Sequence, residues 1–199
     1  VVKNFAIWNH YATMAQKNKH WERKTGTCLL LKRQVKKKMY TEAQHLNNDA
    51  RAWVYAASRT LSGEEQKKLE ENLTAFCEGW SSHGVPVRSS WVIRENQFVV
   101  LMAEEGPSGC SIDSSVRMLK QAGAALGIDF FDRRIPFQTE TGISLVALPD
   151  LSSFLKQQSN AGQLMTINTL ADKKTSVDKD WLIPVSKSWM SRYLTEHRN

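Results

Sequence analysis

Leu69, Leu73, Phe76, Cys77 and Trp80 fall at i, i+4, i+7, i+8 and i+11, the spacing of one apolar face on a helix. Ser62 and Glu65 stand just upstream with capping-box spacing, so each side chain can satisfy a free backbone N–H of the first turn. Gly84 and Pro86 are expected to end this helix. Before it, Arg51-Ala52-Trp53-Val54-Tyr55-Ala56-Ala57 reads as a strand with Trp53 and Tyr55 on one face. After it come two β-rich runs, Val87 to Arg94 and Gln97 to Ala103, around a tight turn at Glu95-Asn96.

A second helix is expected from about Ser111, with Ile112, Val116, Leu119 and Leu126 buried and Gly127 as its C-terminal cap. Arg134 to Thr139 and Ile143 to Leu148 are expected to form a hairpin around Glu140-Thr141-Gly142. Asp150 is placed to cap a short helix, Leu151 to Gln158, with Gly162 just past its end. Leu164 to Asn168 reads as a last short strand. Ser186 to Leu194 reads as a terminal helix with Trp189, Met190 and Tyr193 facing inward.

The order β-α-β-β-α-β predicts an α+β fold, a mainly antiparallel sheet with helices on one face. Its first six elements match a ferredoxin-like core, followed by a C-terminal strand and helices. No repeat or linker divides residues 45–199, and a chain of 199 residues is expected to bury one good core.

Charge changes this picture at one end. Residues 1–38 hold ten Lys or Arg against one acid, Glu22, a balance of +9, whereas residues 39–199 balance at −2. The first segment has no clean period and ends in Lys36-Lys37-Lys38-Met39. We therefore expect residues 1–38 to be a basic N-terminal extension, upstream sequence read in frame before a start at Met39, and residues 39–199 to be a single α+β domain. The functional alternative is a basic arm for nucleic acid, with Trp8, Tyr11 and Trp21 available to stack on bases. A targeting peptide fits less well, because the segment is rich in Lys rather than in Arg and Ser. The apolar run Phe98 to Ala103 is far too short to cross a bilayer. Cys28, Cys77 and Cys110 form no C-x-x-C pair, so neither a disulfide framework nor a metal site is expected, and no cofactor motif is present. A reducing, cytoplasmic setting follows as the default.

The candidate chemistry centres on Ser108-Gly109-Cys110-Ser111-Ile112-Asp113-Ser114-Ser115. This block puts a cysteine at a helix start, where unpaired N–H groups and the helix dipole favour a thiolate or a bound anion. Cys110 as nucleophile, His83 as base and Asp113 as its orienting carboxylate, with Asp129 and Asp132 as alternatives for that last role, make a conceivable catalytic set. Against this stand the usual role of free cysteine as a small buried hydrophobe and a helix-ending role for His83. The same loop could hold an anion, with Ser108, Gly109, Ser111, Ser114 and Ser115 as ligands and Arg133 on the rim. Asp113, Arg117 and Lys120 share a polar helix face, and Asp113 and Arg117 have the spacing of a weak surface pair.

Trp53-Val54-Tyr55, Phe76 to Trp80 with His83-Gly84, the Gly-Cys-Ser-Ile-Asp-Ser-Ser block, Phe130-Phe131-Asp132-Arg133 and Trp181-Leu182-Ile183-Pro184 together resemble a family of short bacterial proteins. Members often carry the name "ABC transporter ATPase". The resemblance spans roughly Asn48 to Leu194 and implies a shared fold but no mechanism. The name requires a Walker A loop, G-x-x-x-x-G-K-[ST]. No Gly-Lys-Ser or Gly-Lys-Thr occurs, and the Gly-rich loop from Gly106 to Ser115 contains no lysine.

The leading expectation is a binding or regulatory module for a small anionic ligand or a protein partner. The alternative is a thiol-dependent enzyme or redox protein using Cys110. An ATPase-associated role is the further alternative that the family name suggests. No membrane partner is expected, and nucleic acid only through residues 1–38.

Overall fold

The computed structural model describes residues 39–104 and 109–195. The expectation for residues 1–38 lies outside them. The fold class is α+β, built on antiparallel sheets.

The first sheet contains β1 (Arg51–Ala56), β4 (Ser89–Arg94) and β5 (Phe98–Ala103) in the order β1-β5-β4. Central β5 is buried at all six positions, which is why it reads as an unbroken apolar run. Alternation splits that run between two layers. Val99 and Leu101 meet Leu69, Leu73, Cys77, Leu119 and Ala122 from α1 (Gly63–Gly79) and α2 (Gly109–Leu126). Phe98, Val100 and Met102 meet Ile167, Ala171, Val177 and Trp181 on the opposite side.

Local signals act where they stand. Ser62 Oγ accepts from the Glu65 N–H at 3.3 Å, and Glu65 returns the bond to the Ser62 N–H at 2.8 Å. Glu95 and Asn96 adopt φ of 51° and 50°, the left-handed pair of a tight hairpin turn. The Gln97 N–H closes that turn on Arg94 C=O at 3.0 Å. Gly127, at φ 64°, ends α2, and the Ile128 N–H reaches back to Gly123 C=O at 2.9 Å, as in a Schellman motif.

Several elements differ from the sequence reading. α1 ends at Gly79, with Trp80 as its C-cap. Ser81–Ser82 (β2) and Val85–Pro86 (β3) then pair as a small hairpin. His83 and Gly84, at φ 51° and 78°, form its turn rather than a helix cap. Asp150 makes no side-chain cap bond, because the 3-10 turn Leu148–Asp150 runs directly into α3 (Leu151–Lys156). Gly162 lies within another 3-10 turn, Ala161–Gln163. The expected terminal helix is broken into 3-10 turns, Val185–Lys187 and Trp189–Ser191, before α5 (Arg192–Thr195). The helix α4 (Lys174–Lys179) and the strand β9 (Leu182–Pro184) have no counterpart in the sequence reading.

The ferredoxin-like detail changes at the fourth main strand. β6 (Ile135–Thr139) does not extend the first sheet. It joins β7 (Gly142–Val146), β8 (Met165–Ile167) and β9 in a second antiparallel sheet of order β7-β6-β8-β9. The edge of β1 is capped only at its ends. Ala52 N–H bonds Asp172 C=O at 2.8 Å, and Ala56 C=O accepts from the Asp132 N–H at 3.2 Å. The face of the first sheet opposite α1 and α2 is therefore covered, by Ile143, Ile167 and Leu182 of the second sheet together with Val177 and Trp181.

Candidate functional site

Of the residues expected around the start of α2, Arg133 lies at the opposite end of the first sheet. Arg51, Ala103 and Ser89 are register partners, so they mark one end. The Ser58 N–H bonds Asp129 C=O at 2.7 Å, which places the C-terminal end of α2 beside the far end of β1. The first turn of α2 therefore points to the Arg51 end, where β2 packs against α2. Gly109 is the exposed first residue of α2, and Asp113 is exposed one turn later. His83 is exposed on its hairpin. Ser108 and the side chains of Cys110 and Ser111 lie outside the described residues. Arg133 follows Asp132, which is tied to Ala56 at the other end of β1, about 17 Å away for five strand steps of about 3.4 Å. Arg133 and the start of α2 thus do not form one site.

Two hydroxyls of the expected anion site differ in placement. Ser115 is buried between α2 and the sheet. Its Oγ donates to Ile112 C=O at 2.7 Å and meets the Tyr55 hydroxyl at 3.3 Å. Burial pushes the Tyr55 phenol upward, and the Ser115 bond pulls the other way. Ser115 therefore joins sheet to helix instead of facing a ligand, while Ser114 is half-buried. Asp113, Arg117 and Lys120 share an exposed face as expected, but no ion pair joins Asp113 to Arg117 among the described residues. Lys120 lies 5.8 Å from the Phe131 ring centre instead. Cys77 is buried, and burial pushes its thiol up to about 12, with the Ser89 hydroxyl acting weakly in the opposite sense. A thiol held that high is inert.

A cavity lies where β6 leaves the edge of β1. It is a cleft of about 650 Å³ between the two sheets. Val54 and Ala56 form one wall, Pro136, Thr166 and Ile167 the other, and Lys187 to Met190 a third side. Pro136 has no N–H to offer β8, and the ladder between β6 and β8 consists of Phe137 opposite Thr166. Thr166 Oγ1 satisfies Pro136 C=O at 2.7 Å. Strand alternation turns the N–H and C=O of Val54 outward, as those of Ala52 and Ala56 are turned. Asp172 and Asp132 take those neighbours; among the described residues no group takes the outward pair of Val54.

Four ionisable side chains line this cleft: Asp132, Arg133, Arg134 and Lys187. The Asp132 carboxylate accepts from Arg134 Nε at 2.9 Å and Nη2 at 2.5 Å, and its Oδ1 also accepts from the Arg134 N–H at 2.8 Å. The Arg134 contact holds the Asp132 carboxyl below its usual range. Arg134 also reaches Ser58 C=O at 2.8 Å. Arg133 and Lys187 are exposed and enter no hydrogen bond or ion pair among the described residues. Asn168, half-buried beside them, likewise keeps its side-chain amide free. Sequence reasoning singled out Arg133 but missed Lys187, Asn168 and Val54, which come from three separate elements and share no local motif.

No group of three or more His, Cys, Asp or Glu residues is placed to hold a metal among the described residues. No helix there is long and apolar enough to cross a membrane. Comparison with known families, with curated proteins and with solved structures found no match.

Proposed function

We propose that this protein is a binding module for a small anionic ligand, seated in the cleft between the two sheets. The observation that carries the reading is the charge left in the lining. Asp132 is the lining's acid, and Arg134 occupies it at 2.5 Å. Arg133 and Lys187 then supply two positive charges that pair with no group among the described residues. Two cations at the rim of a concave site raise the local positive potential and attract anions. A guanidinium offers a planar fork to a carboxylate or phosphate, while an ammonium acts as a compact point charge. The Asn168 amide and the Val54 N–H add neutral donors. A volume of about 650 Å³ lies within the range of about 300–1,000 Å³ for small-molecule sites.

The experiment is an amide NMR titration of the full chain with inorganic phosphate at low salt. Saturable shifts are expected at Val54, Arg133, Asn168 and Lys187, weakening as salt is added. The double variant Arg133→Gln, Lys187→Gln changes two exposed residues and is expected to keep the fold while losing these shifts. Undiminished shifts in the double variant, or shifts confined to residues 1–38, would overturn the proposal.

A further inference from the structure

We infer that the ligand is an aryl acid, in which a flat apolar ring carries the anionic group; this rests on the anion reading of the same cleft. Among the described residues four large apolar side chains are exposed: Val85, Leu148, Leu170 and Trp189. Two of them, Leu170 at 70% and Trp189 at 40%, line the cleft. Ile183 and Met190 extend the apolar lining inward. Exposed apolar surface beside a pocket marks a binding surface more often than scattered single residues do.

Trp189 is held in place. It opens a 3-10 turn whose N-cap, Ser188, accepts from the Met190 N–H at 3.1 Å and donates to Val185 C=O at 2.8 Å. Met190, next in the chain, is buried in the C-terminal cluster. The Arg192 guanidinium lies 5.4 Å from the Trp189 ring centre, and Tyr193 meets the ring edge-on at 6.1 Å. These contacts fix the ring at the mouth of a cationic cleft, with Arg192 over it and 40% of the residue still exposed. Lys187 stands two residues away on the same turn pair, so one short segment presents both a charge and a ring. A bare inorganic anion would use only the charge. A ligand with an aromatic ring next to its anionic group would use both, gaining the ring–ring contact and the burial of Leu170.

The test compares phenyl phosphate with inorganic phosphate by calorimetry on the full chain. Phenyl phosphate is expected to bind at least about tenfold more tightly, the ratio set by burying one ring against an aromatic side chain. Trp189→Ala is expected to remove most of that preference, weakening phenyl phosphate binding several-fold more than inorganic phosphate binding, and Trp189→Phe to restore part of it. A thermal melt of each variant checks the fold, which a 40% exposed side chain is not expected to control. Equal affinities for the two probes, or a Trp189→Ala variant that keeps the full preference, overturns the aryl inference and leaves the anion reading intact. Binding of neither probe by the wild-type chain overturns both.

Discussion

Asp132 holds Arg134 two residues away through both side-chain oxygens and the backbone, at 2.5 to 3.1 Å. This local clasp neutralises the acid of the cleft and ties the entry of β6 to Ser58. Asp132→Asn is expected to cost about 1 kcal/mol of stability, small because Arg134 is largely exposed and solvent screens the pair. It is also expected to tighten inorganic phosphate at low salt, since a third cation is released. Weaker phosphate binding in a folded variant would show that Asp132 itself takes part in holding the ligand.

Glu65 closes the capping box of α1 and pairs with Arg59 at 2.7 Å. The Arg59 bond, followed by the Ser62 N–H, lowers its carboxyl from 4.5 to about 2. A lowered folded value means stability that is present above about 4.5 and lost as pH falls toward 2. Urea midpoints of wild type and Glu65→Gln, measured from about pH 6 downward, are expected to differ most above pH 4.5 and to converge near pH 2. A constant gap across that range would remove the carboxylate from the account.

Gly123 faces the chain that follows α2. A Cβ there would collide with Ile128 C=O and press on Phe130 at 3.3 Å. The carbonyl is backbone, so it cannot swing aside. Gly123→Ala is expected to destabilise by about 1–3 kcal/mol, as overpacking does. Chemical denaturation checks this, and a neutral result would mean that the turn after α2 shifts freely.

Glu95 and Asn96 hold positive φ without being glycine. The double substitution Glu95→Asn with Asn96→Gly installs the residue types that this turn prefers. A gain of about 1 kcal/mol is expected from relieved backbone strain. An unchanged melting temperature would show that the strain is compensated elsewhere.

Cys77 is buried and its thiol is pushed up to about 12. Iodoacetamide at about pH 8 is expected to leave it unmodified in the native chain and to label it after denaturation, as peptide mass mapping would show. Labelling under native conditions would mean that α1 opens readily away from β4.

Much of the first sheet and its helices is legible in the residue pattern. Ser62 with Glu65, the Leu69 to Cys77 spacing, Glu95-Asn96 and Gly127 act through neighbours within a few residues, so their effect is written locally. The apolar run of β5 is legible for the same reason. What covers its second face is not, because that depends on where β6 goes. A strand that reads as the fourth member of one sheet can pair equally well in another, and only the competing partners, β7 and β8, decide. That choice leaves the middle of the β1 edge open and brings Arg133, Asn168 and Lys187 to one cleft across more than fifty residues of chain. The inward Trp189 expected of a regular terminal helix is an exposed ring for a related reason. Ser188 caps a 3-10 turn there, and the change of pitch rotates the side chain from the core to the rim. The residue pattern alone was enough to read the α+β class, the capping box of α1, the Glu95-Asn96 and Gly127 turns and the apolar faces of α1 and β5. The tertiary structure alone decided the sheet partition, the cleft and its charge, because those rest on pairings between distant segments whose energies differ only in context.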